Sequence, residues 1–257
     1  MKKFTLLSAL LFCGAILAQA QEYKVKLANS PDRKVTIQLD GDVKIEGYDG
    51  EEVSIRGNGQ EAPPERAKGL KPLYNTAVDN SGIGLAVTPE SGGLKIEKAS
   101  RKATDYTIRV PRKVAILFEQ ANWHGASVTI NGVEGDLEVR TNNARIELNQ
   151  VSGPVVVNST SGEVKVVYAS LNQQKPNAIS VISGPIDVTL PANAKANLRL
   201  QSISGEMYTD FDLGLKNSKD GLSKVGGGHS ITGTANGGGV EMKLNAISGN
   251  IYIRKQK

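Results

Sequence analysis

The two histidines, His124 and His229, are the side chains best suited to metal or acid–base chemistry in this sequence. Each stands beside a glycine in a segment that predicts a turn, and the two are far apart along the chain. A zinc site needs three or four ligands brought together from His, Cys, Asp or Glu. The only cysteine, Cys13, lies within an apolar N-terminal stretch. These residues therefore predict no metal site, no cofactor and no thiol nucleophile.

Two glycine-rich segments match phosphate-binding loops only in outline. Residues 57–62 fit the spacing of a dinucleotide fingerprint, but Pro63 and Pro64 follow where a helix would have to begin. The run Gly226–Gly228 lacks the Lys-Ser/Thr ending of a phosphate loop. Both segments are predicted to be turns. A Ser-His-Asp triad is defined by geometry that residue types alone do not supply, so no catalytic residues are predicted.

An internal repeat determines which elements position the side chains of this chain. Its unit is a glycine, a free position, an apolar residue, a polar residue and a second apolar residue. Clear copies begin at Gly41, Gly135, Gly162, Gly184 and Gly249, and looser copies at Ala144, Gly153 and Gly205. Apolar-polar alternation is the period of a half-buried strand. Each copy therefore predicts a short strand with alternate side chains facing inward.

Ser-Gly pairs precede several of these strands, at Ser152, Ser183, Ser204 and Ser248. Serine can hydrogen-bond the local backbone and glycine can adopt a positive φ, so each pair predicts a corner. From Gly135 to Gly205, whole units recur 18 to 22 residues apart, enough for a strand, a corner and a strand. Each coil is expected to pair with the next along the chain. The predicted fold is all-β: a parallel β-helix or β-solenoid with short, glycine-punctuated strands.

The N-terminal half is predicted to be a less regular β region. Asp40-Gly41, Asp49-Gly50 and Asn131-Gly132 are typical of hairpin tips, which keeps an antiparallel sandwich open as an alternative there. The stretches 56–80 and 213–239 interrupt the repeat with proline and glycine, so both are predicted to be loop insertions. Residues 21–257 are interpreted as one domain.

The N-terminus has the layout of a secretory signal peptide, with Lys2 and Lys3, an apolar run over 4–17, and Ala18-Gln19-Ala20. The run is shorter than the roughly 20 residues of a transmembrane helix. Phe12 stands before Cys13 where a lipidation motif requires a small residue, so cleavage without lipidation is predicted. Loss of two lysines and no acid lowers the formal net charge from +5 to +3. Neither a nucleic-acid partner nor a transmembrane segment in the mature chain is expected.

The outward positions of the strands decide which side chains a partner could meet. In chain order they are Glu138, Glu147, Val156, Lys165, Asp187, Tyr208 and Tyr252. With two strands per coil, Glu138 and Glu147 fall on different faces, so no row of carboxylates is predicted. Outward aromatic rings can stack on sugars or pack on a protein, so Tyr208 and Tyr252 are the candidate binding face.

One resemblance rests on residues 106–111 (YTIRVP), residues 126–130 (ASVTI) and the copies from Gly135 to Val166. Together these segments resemble the bacterial putative-adhesin family of β-strand repeat proteins, a family of unknown function. The likeness extends from about Val35 to Ile253. It implies a β-helix-like fold, export to the cell envelope, and a role in adhesion or in sensing envelope stress. The family offers no catalytic residues to carry over.

Two classes of function remain open at this point. The predicted one is an exported, non-catalytic protein of the periplasm or cell surface that binds another envelope component, either protein or glycan. The alternative is a carbohydrate-active β-helix enzyme acting on polysaccharide. Such an enzyme would cluster Asp, Glu, Arg or Lys in a groove, whereas this sequence scatters them.

The N-terminal segment gives a direct prediction. N-terminal sequencing of the exported protein should begin at Gln21, because small residues occupy the two positions that a signal peptidase recognises. A mature protein that retained Lys2 and Lys3 would contradict export by this route.

Overall fold

The structure, a computed structural model, describes residues 22–27, 33–58, 64–70, 77–101, 104–214 and 229–257. These residues form nineteen β-strands and one 3-10 turn at Glu65–Ala67, so the fold is all-β. The first ten strands are β1 (Glu22–Lys26), β2 (Lys34–Leu39), β3 (Val43–Tyr48), β4 (Glu52–Asn58), β5 (Leu85–Glu90), β6 (Gly93–Lys98), β7 (Asp105–Pro111), β8 (Ala115–Gln120), β9 (Ala126–Asn131) and β10 (Leu137–Val151). The others are β11 (Val155–Ser161), β12 (Val164–Tyr168), β13 (Asn177–Ser183), β14 (Ile186–Leu190), β15 (Ala196–Ser202), β16 (Met207–Thr209), β17 (His229–Ala235), β18 (Val240–Ser248) and β19 (Ile251–Lys255).

The strands form two faces that share the long strand β10. The first face has the spatial order β5, β6, β2, β8, β10, β11, β13, β18, β15, β17. The second has the order β1, β4, β7, β3, β9, β10, β12, β14, β19, β16. Residues 137–143 of β10 pair on the first face and residues 144–151 on the second. One strand from each face therefore makes one coil, and the fold is β-solenoid-like.

The pairing is mixed and not that of a regular parallel β-helix. Most neighbours are parallel, as between β10 and β11, but β1–β4, β4–β7, β5–β6 and β15–β17 are antiparallel. Three of these four pairings lie at the end built from the N-terminal half, which agrees with the less regular region expected there. The antiparallel strands β5 and β17 end the first face, so the sheet does not continue as a parallel stack.

The predicted hairpin tips are wrong. Asp40-Gly41 connects β2 and β3, which lie on different faces, so it is a corner. Asp49-Gly50 connects β3 to β4, but β7 lies between those two strands. Asn131-Gly132 ends β9 and leads across to the other face at β10. The hairpin of this region is β5–β6, whose turn holds Gly92 at φ +76°.

The coils do not stack in chain order, which corrects the expectation that each pairs with the next along the sequence. The coil β18/β19 lies between β13/β14 and β15/β16. At the other end, β2/β3 lies between β6/β7 and β8/β9. The connection from β4 to β5 covers residues 59–84 and that from β16 to β17 covers residues 210–228, so both overlap the predicted insertions 56–80 and 213–239. The connections that pass over an intervening coil are short, at residues 112–114 between β7 and β8 and at residues 191–195 between β14 and β15.

Both interruptions contain strand residues at their ends. Residues 56–58 belong to β4, where Gly57 pairs with Tyr106, so this part of the glycine-rich segment is not a turn. Residues 229–235 form β17, which pairs along all seven residues with β15. This strand was not predicted, because Gly233 occupies a position where the apolar-polar alternation requires an apolar side chain. Of the first interruption, the described residues 64–70 are mostly exposed.

The glycines of the corners are required by the approach of neighbouring coils. A Cβ on Gly153 would lie 2.0 Å from the carbonyl oxygen of Gly135, although Gly153 itself has no positive φ. A Cβ on Gly184 would lie 2.0 Å from the carbonyl oxygen of Gly162, and one on Gly249 would lie 2.0 Å from that of Gly184. A Cβ on Gly205 would lie 1.9 Å from the carbonyl oxygen of Gly249. Any side chain would therefore overlap the backbone of the adjacent coil. Positive φ, the reason expected from the sequence, applies to only some of these corners.

The core lies between the two faces and is built from the inward positions of the repeat. Val155, Val157, Val164 and Val166 are fully buried, as the alternation predicts. Each such side chain contributes about 1.5–3 kcal/mol by leaving water. Among the larger buried residues, Tyr168 donates its hydroxyl to Asn177 Oδ1 at 2.9 Å. Burial raises the pKa of this tyrosine above its ordinary value, which keeps the hydroxyl protonated as a donor.

A charge should destabilise the protein strongly at an inward position of β12 and only slightly at an outward one. Val164→Asp should unfold much of the protein, because an unpaired carboxylate would be buried between the faces. Val167→Asp is the matched control, since Val167 faces outward between its partners Asn149 and Thr189, and it should cost about 1 kcal/mol or less. Lys165→Asp is a poorer control, because Lys165 lies between Glu147 and Asp187 and the change would align three acids. Equal loss of stability in chemical denaturation would contradict the inward-outward assignment.

The corner glycines give a second prediction. Gly153→Ala should lower the free energy of unfolding by more than about 3 kcal/mol, since relieving the overlap requires two coils to separate. Gly237→Ala tests backbone strain alone, because Gly237 has φ +83° with no atom within 4 Å of a built Cβ. It should cost about 1–2 kcal/mol. Urea titrations of both variants check this, and a smaller loss for Gly153→Ala than for Gly237→Ala would disprove the close approach.

Candidate functional site

The structure brings the two predicted binding residues together. Tyr208 on β16 and Tyr252 on β19 are direct partners in neighbouring parallel strands. Their ring centroids are 5.3 Å apart with an interplanar angle of 10°, so the rings are stacked. This contact depends on the parallel pairing of β19 with β16, the strand of the preceding coil along the chain.

Polar neighbours fix the inner ring of this pair. Arg254 Nε donates to both carboxylate oxygens of Asp187, at 3.0 and 3.1 Å, and its guanidinium lies 5.2 Å from the centre of the Tyr252 ring. Hydrogen bonding by Asp187 raises the pKa of the Arg254 guanidinium above its ordinary value. Asn250 Nδ2 donates to the Tyr252 hydroxyl at 3.0 Å. Tyr252 is therefore held in place, while Tyr208 is 52% exposed and forms the outer ring.

The tyrosine pair stands at the end of the second face. Within the described ranges β16 is the last strand of that face and pairs only with β19. Its three residues present a short edge, with Asp210 beyond it accepting a hydrogen bond from the backbone N–H of Lys255 at 2.7 Å. The Lys255 ammonium lies 5.2 Å from the ring centre of Phe211. The pair thus occupies the rim of a rigid sheet and not the middle of a groove.

The predicted positions of the outward carboxylates are confirmed. Val156 is the partner of Glu138 on the first face, and Lys165 is the partner of Glu147 on the second. The guanidinium of Arg140 donates to Glu138 through Nε and Nη2, at 2.9 and 2.6 Å. These carboxylates therefore belong to separate surfaces.

The histidines are not neighbours. His124 lies in the exposed loop between β8 and β9, and its ring packs on Trp123 at 4.8 Å. His229 begins β17, which is separated from β8 on the first face by β10, β11, β13, β18 and β15. In the part of the chain that the structure describes, no three His, Cys, Asp or Glu residues are grouped so as to hold a metal ion.

A groove of about 980 Å³ on the first face was not foreseen from the sequence. It crosses the strands β6, β2, β8, β10, β11, β13 and β18 at one level of the sheet. Its lining includes Gln38, Glu119, Arg140, Asn158, Ser180 and Asn245. The sequence shows each of these as an ordinary outward polar residue. Only the register, which places them side by side, reveals the row.

A family model described as Toastrack DUF4097 matches residues 13–254. The chain belongs to the Toastrack DUF4097 family. Comparison with curated proteins finds no significant match. Within the described ranges, none of the helical structure of this Toastrack protein is long and apolar enough to span a membrane.

Solved structures with a similar fold include proteins described as adhesins. A putative cell adhesion protein from Clostridium sporogenes is 13% identical, with a TM-score of 0.44, over 91% of this chain and 99% of that one. A putative adhesin from Bacteroides fragilis is 12% identical, with a TM-score of 0.34, over 91% and 96%. A putative lipid binding protein from Parabacteroides distasonis is 12% identical, with a TM-score of 0.33, over 92% and 96%. The family match over residues 13–254 confirms the family resemblance expected from the sequence.

Proposed function

We propose that this Toastrack protein is an exported, non-catalytic binding protein of the cell envelope or surface, and that Tyr208 and Tyr252 form its contact with a partner. The proposal keeps the signal peptide expected over residues 1–20, which lie outside the described residues. It places the protein in the periplasm or on the cell surface. The partner is another envelope component, protein or glycan.

The stacked tyrosine pair is the observation that carries this proposal. Two rings at 5.3 Å, with the outer ring 52% exposed, make a flat aromatic surface on the rim of a sheet. Tyrosine is enriched at contact surfaces because it offers a large apolar ring with a polar tip and few rotatable bonds. No part of the hydrophobic core requires Tyr208 to be aromatic, because its ring lies outside that core.

Rigidity of the supporting strands favours binding over chemistry. Tyr252 is fixed by Asn250 and stands beside the Asp187–Arg254 pair, so a partner would meet a surface that is already ordered. Ordering before binding reduces the entropy lost on association. Asp187 and Arg254 are engaged with each other, so neither side chain is free to face a substrate.

The alternative, a carbohydrate-active enzyme, has one structural feature in its favour. Glu119 and Glu138 both accept hydrogen bonds from Arg140, beside the groove of the first face. A glycosidase needs one carboxylic acid and one carboxylate at a fixed separation. Both carboxylates here are held by the same guanidinium. One of these ion pairs would have to break before its carboxylate could act on a glycosidic bond.

Capture experiments test the tyrosine surface. Purified Tyr208→Ala/Tyr252→Ala protein should recover its partner from isolated cell envelopes at least about tenfold less efficiently than the wild type, since removing central aromatic contacts costs about 2 kcal/mol or more. Its melting temperature should be nearly unchanged, because both rings face outward. Recovery would be measured by crosslinking and mass spectrometry.

Thr107→Ala/Thr129→Ala is the matched control, because these threonines occupy the same outward level on β7 and β9 of the same face. The control should capture as well as the wild type. Undiminished capture by the tyrosine variant would contradict the assigned contact. Turnover of glycans, peptides or esters by the wild type, with or without added divalent metals, would contradict the non-catalytic function.

A further inference from the structure

The groove of the first face is separate from the tyrosine pair, which lies on the second. It spans seven strands and has a volume of about 980 Å³. Its walls are the outward side chains of neighbouring coils, and Ala121 and Asn122, which follow β8, contribute to the lining. The chemistry of these walls determines what the groove could hold.

Each charged group that lines the groove is paired within the protein. Lys98 lies 2.8 Å from Asp40, and the two side chains are only 11% and 14% exposed. Arg140 lies 2.9 Å from Glu119, and Glu97 lies 3.0 Å from Lys95. Arg140 is shared by Glu119 and Glu138, so the pairs leave no free cation in the groove and one acid in excess. An anionic ligand would therefore have to break an existing ion pair.

Uncharged polar side chains form the middle of the groove. Asn158, Ser180 and Asn245 are successive partners on β11, β13 and β18. Neighbouring strands place them about 4.8 Å apart. None of the three side chains has a hydrogen bond within the described protein, and the buried Oδ1 of Asn245 has no donor at all. Asn158 is exposed, whereas the buried, unpaired Oδ1 of Asn245 favours a donor supplied by a ligand, because an unmatched buried polar group is unfavourable.

An apolar margin runs along the same groove. Ile182 and Ile247 line it and are 50% and 47% exposed. They occupy equivalent positions in adjacent coils, since Val181 pairs with Ala246 and Ser183 with Ser248. Trp123, which follows the lining residue Asn122 in the sequence, is 72% exposed. The groove therefore combines hydrogen-bonding side chains along its middle with apolar surface at its margin.

We propose that this groove binds a segment of a neutral, linear glycan. A sugar ring presents hydroxyls around its edge and C–H groups on its faces, which match the amide row and the isoleucine margin. A neutral sugar also suits the groove because the charged residues of its lining already form ion pairs within the protein. An extended peptide fits less well, because it pairs with a free strand edge and the groove lies across the middle of the face.

A printed array of neutral and acidic glycans tests this proposal. Calorimetry with the neutral oligosaccharide that binds best then measures the affinity. The wild type should bind at least one neutral glycan, with an affinity that is nearly constant between about 0.05 and 0.5 M NaCl because no free charge takes part. Asn158→Ala/Ser180→Ala should weaken binding about tenfold or more, since two hydrogen-bonding groups are removed from the row. Trp123→Ala should also weaken it.

Lys243→Ala is the matched control, because Lys243 is an exposed residue of β18, the strand that carries Asn245, and it does not line the groove. It should change the affinity less than about twofold. Melting curves of all variants should match that of the wild type. Binding of acidic glycans only, binding of no glycan on the array, or full affinity in Asn158→Ala/Ser180→Ala would each overturn the proposal.

The Tyr208→Ala/Tyr252→Ala protein separates this site from the proposed function. It should keep its full affinity for the neutral glycan, because the tyrosines lie on the other face. Loss of glycan binding in that variant would contradict the assignment to the groove. Undiminished envelope capture by that variant, with intact glycan binding, would count against the tyrosine contact alone.

Discussion

Neighbouring coils of this Toastrack protein approach so closely at their corners that backbone lies directly against backbone. A Cβ on Gly249 would stand 2.0 Å from the carbonyl oxygen of Gly184, and one on Gly205 would stand 1.9 Å from that of Gly249. Glycine at these corners therefore permits the strands on both sides to form parallel ladders. The inward valines and isoleucines of adjacent coils then pack into one continuous core. Every surface discussed above depends on this stacking.

Stacking converts a repeating sequence into rows of like positions. Tyr252 and Tyr208 become a ring pair because the parallel register sets them side by side on β19 and β16. Asn158, Ser180 and Asn245 become a polar row for the same reason, although Asn245 is far from the other two in the sequence. Contact sites in such a fold are built across coils, with each strand supplying one or two residues.

The local structure could be predicted from the sequence, whereas the order of the coils could not. Alternation correctly assigned Val155 and Val164 to the core and Lys165 to the surface, because a strand has a period of two. The insertion of β18/β19 beside β13/β14 depends on which coil edge remains open when the chain returns, and this is a tertiary property. For that reason Asn245 could not be placed beside Ser180, because stacking in chain order would put β15 next to β13. Nothing in the local sequence distinguished the residues that line the groove from other outward polar residues.

Disulfide crosslinking tests the inserted coil most directly. In a chain with Cys13→Ser, the pair Ser183→Cys/Ser248→Cys joins direct partners on β13 and β18, at a spacing that a disulfide can bridge. The pair Ser183→Cys/Ser204→Cys joins corners that are consecutive along the repeat but separated here by β18. Mild oxidation should give nearly complete intramolecular crosslinking of the first pair and almost none of the second. The reverse result would show that the coils stack in chain order and would contradict the architecture on which the groove rests.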